Sequence, residues 1–388
     1  MGFSTLANPS IFFQLDFTLT LEQENLFLLL KSALWNDEQS ARSIHDVDWG
    51  ELYGLAKEQC LVGIVADSFR YLSIEQCNRD EKLRWLVYVV SLERKNQEMD
   101  LLITQFFKKF HQMNLSPVLL KGQAFAANYP YPLHRQCGDI DLYFKNRKDC
   151  KTAVAWAAKV DKSAAVSPEN KRERKHFSFS LGNNEVELHY YMCLFENSWL
   201  HQRIQQIIDE EFASSKPFFV EIEGEQIETV PPTLSALHQI IHISRHLLEA
   251  GIGLRQICDL AMFLDKHHDV IDKKRLNGYL EELQLMTIAR SLGYIMVKYL
   301  GLKEEKLPFK VDAQFADFIL QEIFEGGNFG KKKLGYREKS KGMRRKLLSV
   351  YYFYMRCKLY KPLMPKEARS YFWKKISLNF RLMTKHHY

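Results

Sequence analysis

At 388 residues, 46% hydrophobic and 26% charged with 18 Gly and 11 Pro, the chain suffices for about two to three domains and is neither collagen-like nor wholly disordered. No apolar run approaches the roughly 20 residues of a membrane span, and Met1 to Thr18 lack the pattern of a secretory signal. The seven scattered cysteines form no C-x-x-C pair and fit packing thiols in a reducing cytoplasm, not a zinc finger or disulfide framework.

From Leu21 to about Met113 apolar residues recur at three- and four-residue spacings, as in Leu26, Leu29, Leu30, then Trp49, Leu52, Leu55, Ala56, then Leu83, Leu86, Val87, Val90. This predicts an N-terminal helical region over 1–115. Over 116–231 the period shifts toward two. Strands are expected at Pro117–Lys121, Gly138–Phe144, His176–Leu181 and Glu185–Met192, with a turn at Gly182-Asn183-Asn184 joining the last two. A second hairpin is expected around Gly224, from Phe219–Glu223 and Gln226–Val230, and Asp149–Val160 reads as a helix.

After Pro231-Pro232, Thr233 is the expected N-cap of a helix ending at Glu249 before Gly251. Helices follow at Leu254–His267, Lys273–Leu285, Thr287–Leu300 and Asp312–Glu325, making a helical region over 232–330 that closes on a Gly-rich linker, Glu325 to Gly330. The fold class is therefore α+β: a mixed sheet with packed helices, flanked by N-terminal and C-terminal helical regions.

Charge is unevenly placed. The net formal charge is +7, yet 331–388 holds 18 Lys and Arg against Glu338 and Glu367, so the rest of the chain is acidic. That tail also carries Tyr351, Tyr352, Phe353, Tyr354, Tyr360, Tyr371, Phe372 and Trp373. Cations interleaved with rings suit a polyanion, such as RNA or an anionic surface, or the acidic body of the same chain.

Cys137-Gly138-Asp139-Ile140-Asp141-Leu142-Tyr143-Phe144 places two carboxylates in an otherwise apolar strand. Side chains two apart share a strand face, so Asp139 and Asp141 lean one way while Ile140 and Leu142 enter the core. A hard cation such as magnesium suits such oxygens. Glu185-Val186-Glu187-Leu188-His189 alternates likewise, offering Glu187, or Glu185, as a third carboxylate, with His189 to orient it. Upstream, the apolar Val118-Leu119-Leu120 runs into Lys121-Gly122-Gln123, where a Gly opens a short helix whose amides can face phosphate.

This order resembles the DNA polymerase beta-like nucleotidyltransferase superfamily. More closely, Leu120-Lys121-Gly122, Tyr129-Pro130, Arg135, Gly138-Asp139-Ile140-Asp141-Leu142 and Glu187-Leu188-His189 resemble a bacterial family of uncharacterised nucleotidyltransferases. The likeness spans residues 20 to 330 in organisation and is sharpest over 119–144 and 185–190. It implies two Mg2+ (or Mn2+) ions on Asp139, Asp141 and Glu187, a nucleoside triphosphate such as ATP as donor, and transfer of its nucleotidyl group to an acceptor hydroxyl or phosphate with pyrophosphate leaving. Lys121, Gly122, Gln123, Arg135, Gly138 and His189 are the expected nucleotide contacts. The wider superfamily's usual Gly-Ser pair is here Gly122-Gln123, with Gln123 or Lys121 able to replace the hydroxyl; that departure also fits a catalytically silent nucleotide- or polyanion-binding module.

Three further features allow two readings each. Arg135 is a phosphate clamp or half of an ion pair. His238, His242 and His246 form one helical stripe that either binds a metal or makes a polar seam. Within Gly253 to Leu260, which also resembles the family, Arg255 either lines an acceptor pocket or pairs with Asp259 four residues on.

Overall fold

The computed structural model describes residues 17–166, 175–327, 351 and 353–384. Residues 328–330 of the expected linker and 331–350 of the basic tail lie outside them. The N-terminal region folds as α1 (Leu21–Trp35), α2 (Glu38–Arg42), α3 (Trp49–Glu58), α4 (Val62–Ala66) and the 34-residue α5 (Arg79–Gln112). Thr20 and Gln23 form a capping box on α1, and Asp37, Asp48 and Asn78 cap α2, α3 and α5, so each start is written locally.

Six strands follow: β1 (Pro117–Leu119), β2 (Asp139–Phe144), β3 (His176–Leu181), β4 (Asn184–His189), β5 (Phe218–Ile222) and β6 (Glu225–Thr229). They form one mixed sheet in the order β3-β4-β2-β1-β6-β5. β2 runs parallel to β4 and β1 to β6, and the other neighbours are antiparallel. Between them lie α6 (Gln123–Ala126), α7 (Arg147–Val160), α8 (Lys162–Val166) and α9 (Ser198–Ser214). The chain continues through α10 (Pro232–Glu249), α11 (Leu254–His267), α12 (Lys273–Glu282), α13 (Met286–Lys298) and α14 (Ala316–Gly326). A helical stretch over 353–360 and α15 (Pro365–Thr384) close the described fold.

Strand alternation decides the packing. Leu119, Ile140, Leu142, Phe144, Phe177, Phe179, Val186 and Leu188 meet Phe106 and Phe110 of α5 and Ala153 and Ala157 of α7 on one face. Val118, Leu120 and Tyr143 join a larger core built with α1, α10 and α11. Each such apolar side chain contributes about 1.5–3 kcal/mol by leaving water. The acidic positions of β2 and β4 therefore face the second core and its helices.

One local expectation is corrected. Thr233 is not the N-cap of α10: Pro231 takes that position with Pro232 at the first helical residue, because the ring presets φ and its missing N–H costs nothing there. The Thr233 hydroxyl instead accepts the Asp272 amide at 3.0 Å. The described part of the tail docks on the body. Tyr360, Leu363, Met364 and Tyr371 enter the larger core. The buried Arg356 guanidinium donates to the Leu248 carbonyl at 2.9 Å, to the Leu247 carbonyl, and to Glu322 at 3.0 Å. Glu367 accepts the amides of Glu196 and Asn197 at 2.7 and 3.0 Å, where α9 begins.

Candidate active site

The parallel register of β2 and β4 sets Asp139 opposite Glu185 and Asp141 opposite Glu187. Ligand oxygens of Asp139, Asp141 and Glu187 lie within 4.8 Å of one another. Glu185 is exposed and stands outside this cluster, so of the two candidate glutamates the sheet brings Glu187 to the aspartates. The three carboxylates line a cavity of about 210 Å³ whose other walls carry Lys121, Lys175 and Arg255. A larger groove, about 690 Å³, is lined by Leu83, Leu86, Val87 and Val90 of α5 but brings together no comparable set of reactive groups.

Asp141 is 2% exposed. Its Oδ1 accepts from Lys121 Nζ at 2.9 Å and from His189 Nε2 at 2.7 Å. Burial alone would raise its carboxyl, but the Lys121 charge and the His189 hydrogen bond outweigh that and hold it well below the usual carboxylate range. Asp139 shifts the other way, pushed up first by repulsion from Asp141 and then by burial. Glu187 is held low: burial raises it, and the His189 hydrogen bond together with the attraction of His189 and Lys121 outweighs that. Lys121 is driven above its ordinary value, burial being outweighed by the attraction of Asp141, Asp139 and Glu187.

Repulsion at Asp139 is what a divalent cation relieves, and three converging carboxylates are the oxygen donors magnesium or manganese prefers. The residues therefore fit a hard metal on Asp139, Asp141 and Glu187. Gly122 is required by backbone geometry: its φ is +59°, and an added Cβ would stand 3.4 Å from the Asp139 carbonyl. Gly138 also lines the cavity, with open space where a Cβ would stand.

Other sequence candidates are placed differently. Gln123 is buried, neither amide atom has a hydrogen-bond partner among the described residues, and it stands outside the cavity lining. Arg135 borders the cavity, but its guanidinium grips Asp259 bidentately, Nε to Oδ1 at 3.0 Å and Nη2 to Oδ2 at 2.6 Å. Tyr129 adds its hydroxyl to Asp259 at 2.8 Å. The helical pair expected between Arg255 and Asp259 is thus replaced by a contact across the fold, since the buried carboxylate is already taken. Arg255 donates Nη1 to the Gln136 carbonyl at 2.5 Å, and its Nε has no hydrogen-bond partner among the described residues.

The α10 histidines form the polar seam. His242 and His246 stack edge to face at 4.4 Å, and neither joins a three-ligand cluster among the described residues. Burial depresses His238 to about 3, His246 to about 4 and His242 well below its ordinary value, so all three are neutral at pH 7. They border an adjoining cavity of about 120 Å³ with Lys175, Arg245 and Glu249.

Sequence reasoning missed Lys175, His176, Gln239 and Gln256, which also line the main cavity. His176 could have been found: the Gly182-Asn183 turn fixes the β3–β4 register and puts it opposite His189. The two glutamines carried no such signal. Gln239 donates to the Gln256 carbonyl at 3.1 Å, a contact between α10 and α11 visible only once the helices pack.

A family model described as uncharacterised nucleotidyltransferase matches residues 45–301. No curated protein and no solved structure matches the chain. The matched span holds the whole carboxylate cluster and every residue of its cavity. With about two thirds of its length inside that match, the chain belongs to the family of uncharacterised nucleotidyltransferases.

Proposed function

We propose that the protein transfers a nucleoside monophosphate from a nucleoside triphosphate to an acceptor hydroxyl or phosphate, using Mg2+ or Mn2+ held by Asp139, Asp141 and Glu187. The observation that carries this reading is the convergence of those three carboxylates, within 4.8 Å, in a cavity that also presents Lys121, Lys175 and Arg255. When bound, the metal polarises the phosphoryl oxygens and offsets charge developing at the reacting phosphorus. His189 holds Asp141 and Glu187 in place, its Nε2 lying 2.7 and 3.1 Å from them. Arg255, with a donor to spare, and Lys175 supply positive charge to the polyphosphate. The adjoining cavity beside the α10 histidines receives the acceptor.

The test is a thermal-shift panel with each nucleoside triphosphate, with and without Mg2+ or Mn2+, followed by labelled-nucleotide transfer. A metal-dependent rise with one nucleotide supports the reading; transfer of the label to water or to an added acceptor confirms turnover.

A second reading, a catalytically silent nucleotide- or polyanion-binding module, is favoured by one observation. Asp141 already has two internal partners, Lys121 and His189. Exposed Lys361, Lys366, Arg369 and Lys374, with the exposed ring of Trp373 on the same segment, would then be the contact for RNA or an anionic surface. That reading gains if nucleotides bind without metal, or not at all, and no label is transferred.

A further inference from the structure

The β4 face that carries Glu187 also carries His189, and the antiparallel register of β3 sets His176 directly opposite His189. The two imidazoles lie 5.2 Å apart between centroids and are tilted by 59°. Both aim a ring nitrogen at the same atom: His176 Nδ1 is 3.2 Å from Glu187 Oε2, and His189 Nε2 is 3.1 Å from it. The three ligand atoms lie within 4.8 Å of one another.

Those separations match ligands on a shared ion. Donors bound at about 2.0–2.1 Å in a tetrahedral array stand about 3.3 Å apart. The His176 nitrogen is buried and, despite its closeness to Glu187, has no hydrogen-bond partner among the described residues. His189 Nδ1 likewise has no hydrogen-bond partner among the described residues. Moving the His189 proton from Nε2 to Nδ1 presents Nε2 as a ligand in exchange for its 2.7 Å hydrogen bond to Asp141, a loss the metal–nitrogen bond must outweigh. His176 borders the cavity, so an ion can enter from that side and keep a position for water.

We propose that His176, Glu187 and His189 form a binding site for a zinc-class divalent ion, distinct from the all-carboxylate set and sharing only Glu187 with it. Two borderline imidazole nitrogens beside a single carboxylate favour zinc over magnesium, whereas Asp139, Asp141 and Glu187 together offer only hard oxygens and do the reverse. The assignment stands on donor chemistry and geometry and does not depend on nucleotidyl transfer.

Because Glu187 serves both sets, the discriminating substitutions are His176→Gln and Asp139→Asn. Zn2+ alone is titrated into the full-length protein against a chromophoric chelator. H176Q is expected to lose at least tenfold in zinc affinity, D139N to stay within about threefold of the parent, and His176→Cys, which restores a zinc ligand, to recover most of the loss. Unchanged zinc affinity in a folded H176Q protein, or an equal loss in D139N, overturns the proposal. If H176Q does not fold, side-chain 15N resonances of the parent protein decide it. Two imidazoles shift on adding Zn2+ if the site exists, and fewer than two overturn it.

Discussion

Asp139 and Asp141 share one strand face, yet their neighbours make them opposite in energetic character. Asp141 is buried between Lys121 and His189, so replacing it with Asn strands a buried ammonium. Breaking such a pair costs about 3–5 kcal/mol. Asp139 instead suffers repulsion from Asp141, so Asp139→Asn relieves strain. We expect Asp139→Asn to keep or raise the melting temperature while abolishing any metal-dependent nucleotide response. Asp141→Asn should lose both, with part of its stability returning in Lys121→Met/Asp141→Asn. Melting curves of the three proteins, each with and without Mg2+ and nucleotide, check this; equal destabilisation by the two single changes would contradict the assigned roles. The Asp-x-Asp spacing gave the shared face, but it could not say which aspartate had partners.

Among the elements, α10 and α11 do most to shape the site. The neutral histidines of α10 bind protons more readily once unfolded, because burial holds their folded pKa values low. The sign follows: between the ordinary value of 6.5 and the depressed values of about 3 for His238 and about 4 for His246, the unfolded state takes up more protons. Stability is therefore full above about 6.5 and falls as pH drops through that window. Urea unfolding from pH 7 to pH 4.5 should show a declining midpoint, with a shallower decline in His238→Gln. A midpoint slope identical in the two proteins would remove the histidine seam as its source. On α11, Asp259 ties Arg135 and Tyr129, and with them the β1–β2 connection, to the helix. Asp259→Ala leaves the Arg135 charge buried and unpaired and should cost about 3–5 kcal/mol by chemical denaturation. A loss under about 1 kcal/mol would show that water replaces the carboxylate. Periodicity placed both helices, and α11 fell at its expected limits, Leu254–His267. It could not reveal that Asp259 is claimed by a residue far away in sequence and not by Arg255 one turn back.

Across the whole molecule, the C-terminal segment is both surface and core. Its amphipathic composition reads from the sequence as a charged tail, yet Tyr360, Leu363, Met364 and Tyr371 are buried with residues of α1, α10 and α11. Removing residues 351–388 should therefore lower the melting temperature and expose apolar surface, read as increased binding of a hydrophobic dye; an unaltered melting curve would show that this docking is dispensable. Truncation is accordingly a poor probe of charge. Substituting Lys361 and Arg369 with Gln leaves the docked side chains, the Lys366–Trp199 contact and the Lys374–Glu196 pair in place. If these residues bind single-stranded RNA, the salt slope of that binding should fall by about 0.7 for each phosphate they no longer neutralise.

The sequence by itself determined most elements, though not the helix Ser198–Ser214, and the faces of the strands, because caps, turns and period-two or helical alternation act within a few residues. It also carried the shared strand face of Asp139 and Asp141 and the family resemblance. Only the tertiary structure decided that Glu187 completes the cluster in place of Glu185, that Arg135 belongs to Asp259, that Gln123 stands aside from the cavity, and that part of a basic tail is core. Each of these depends on strand register or helix packing between segments distant in the chain, and local propensities carry no information about which distant partner a buried charge will find.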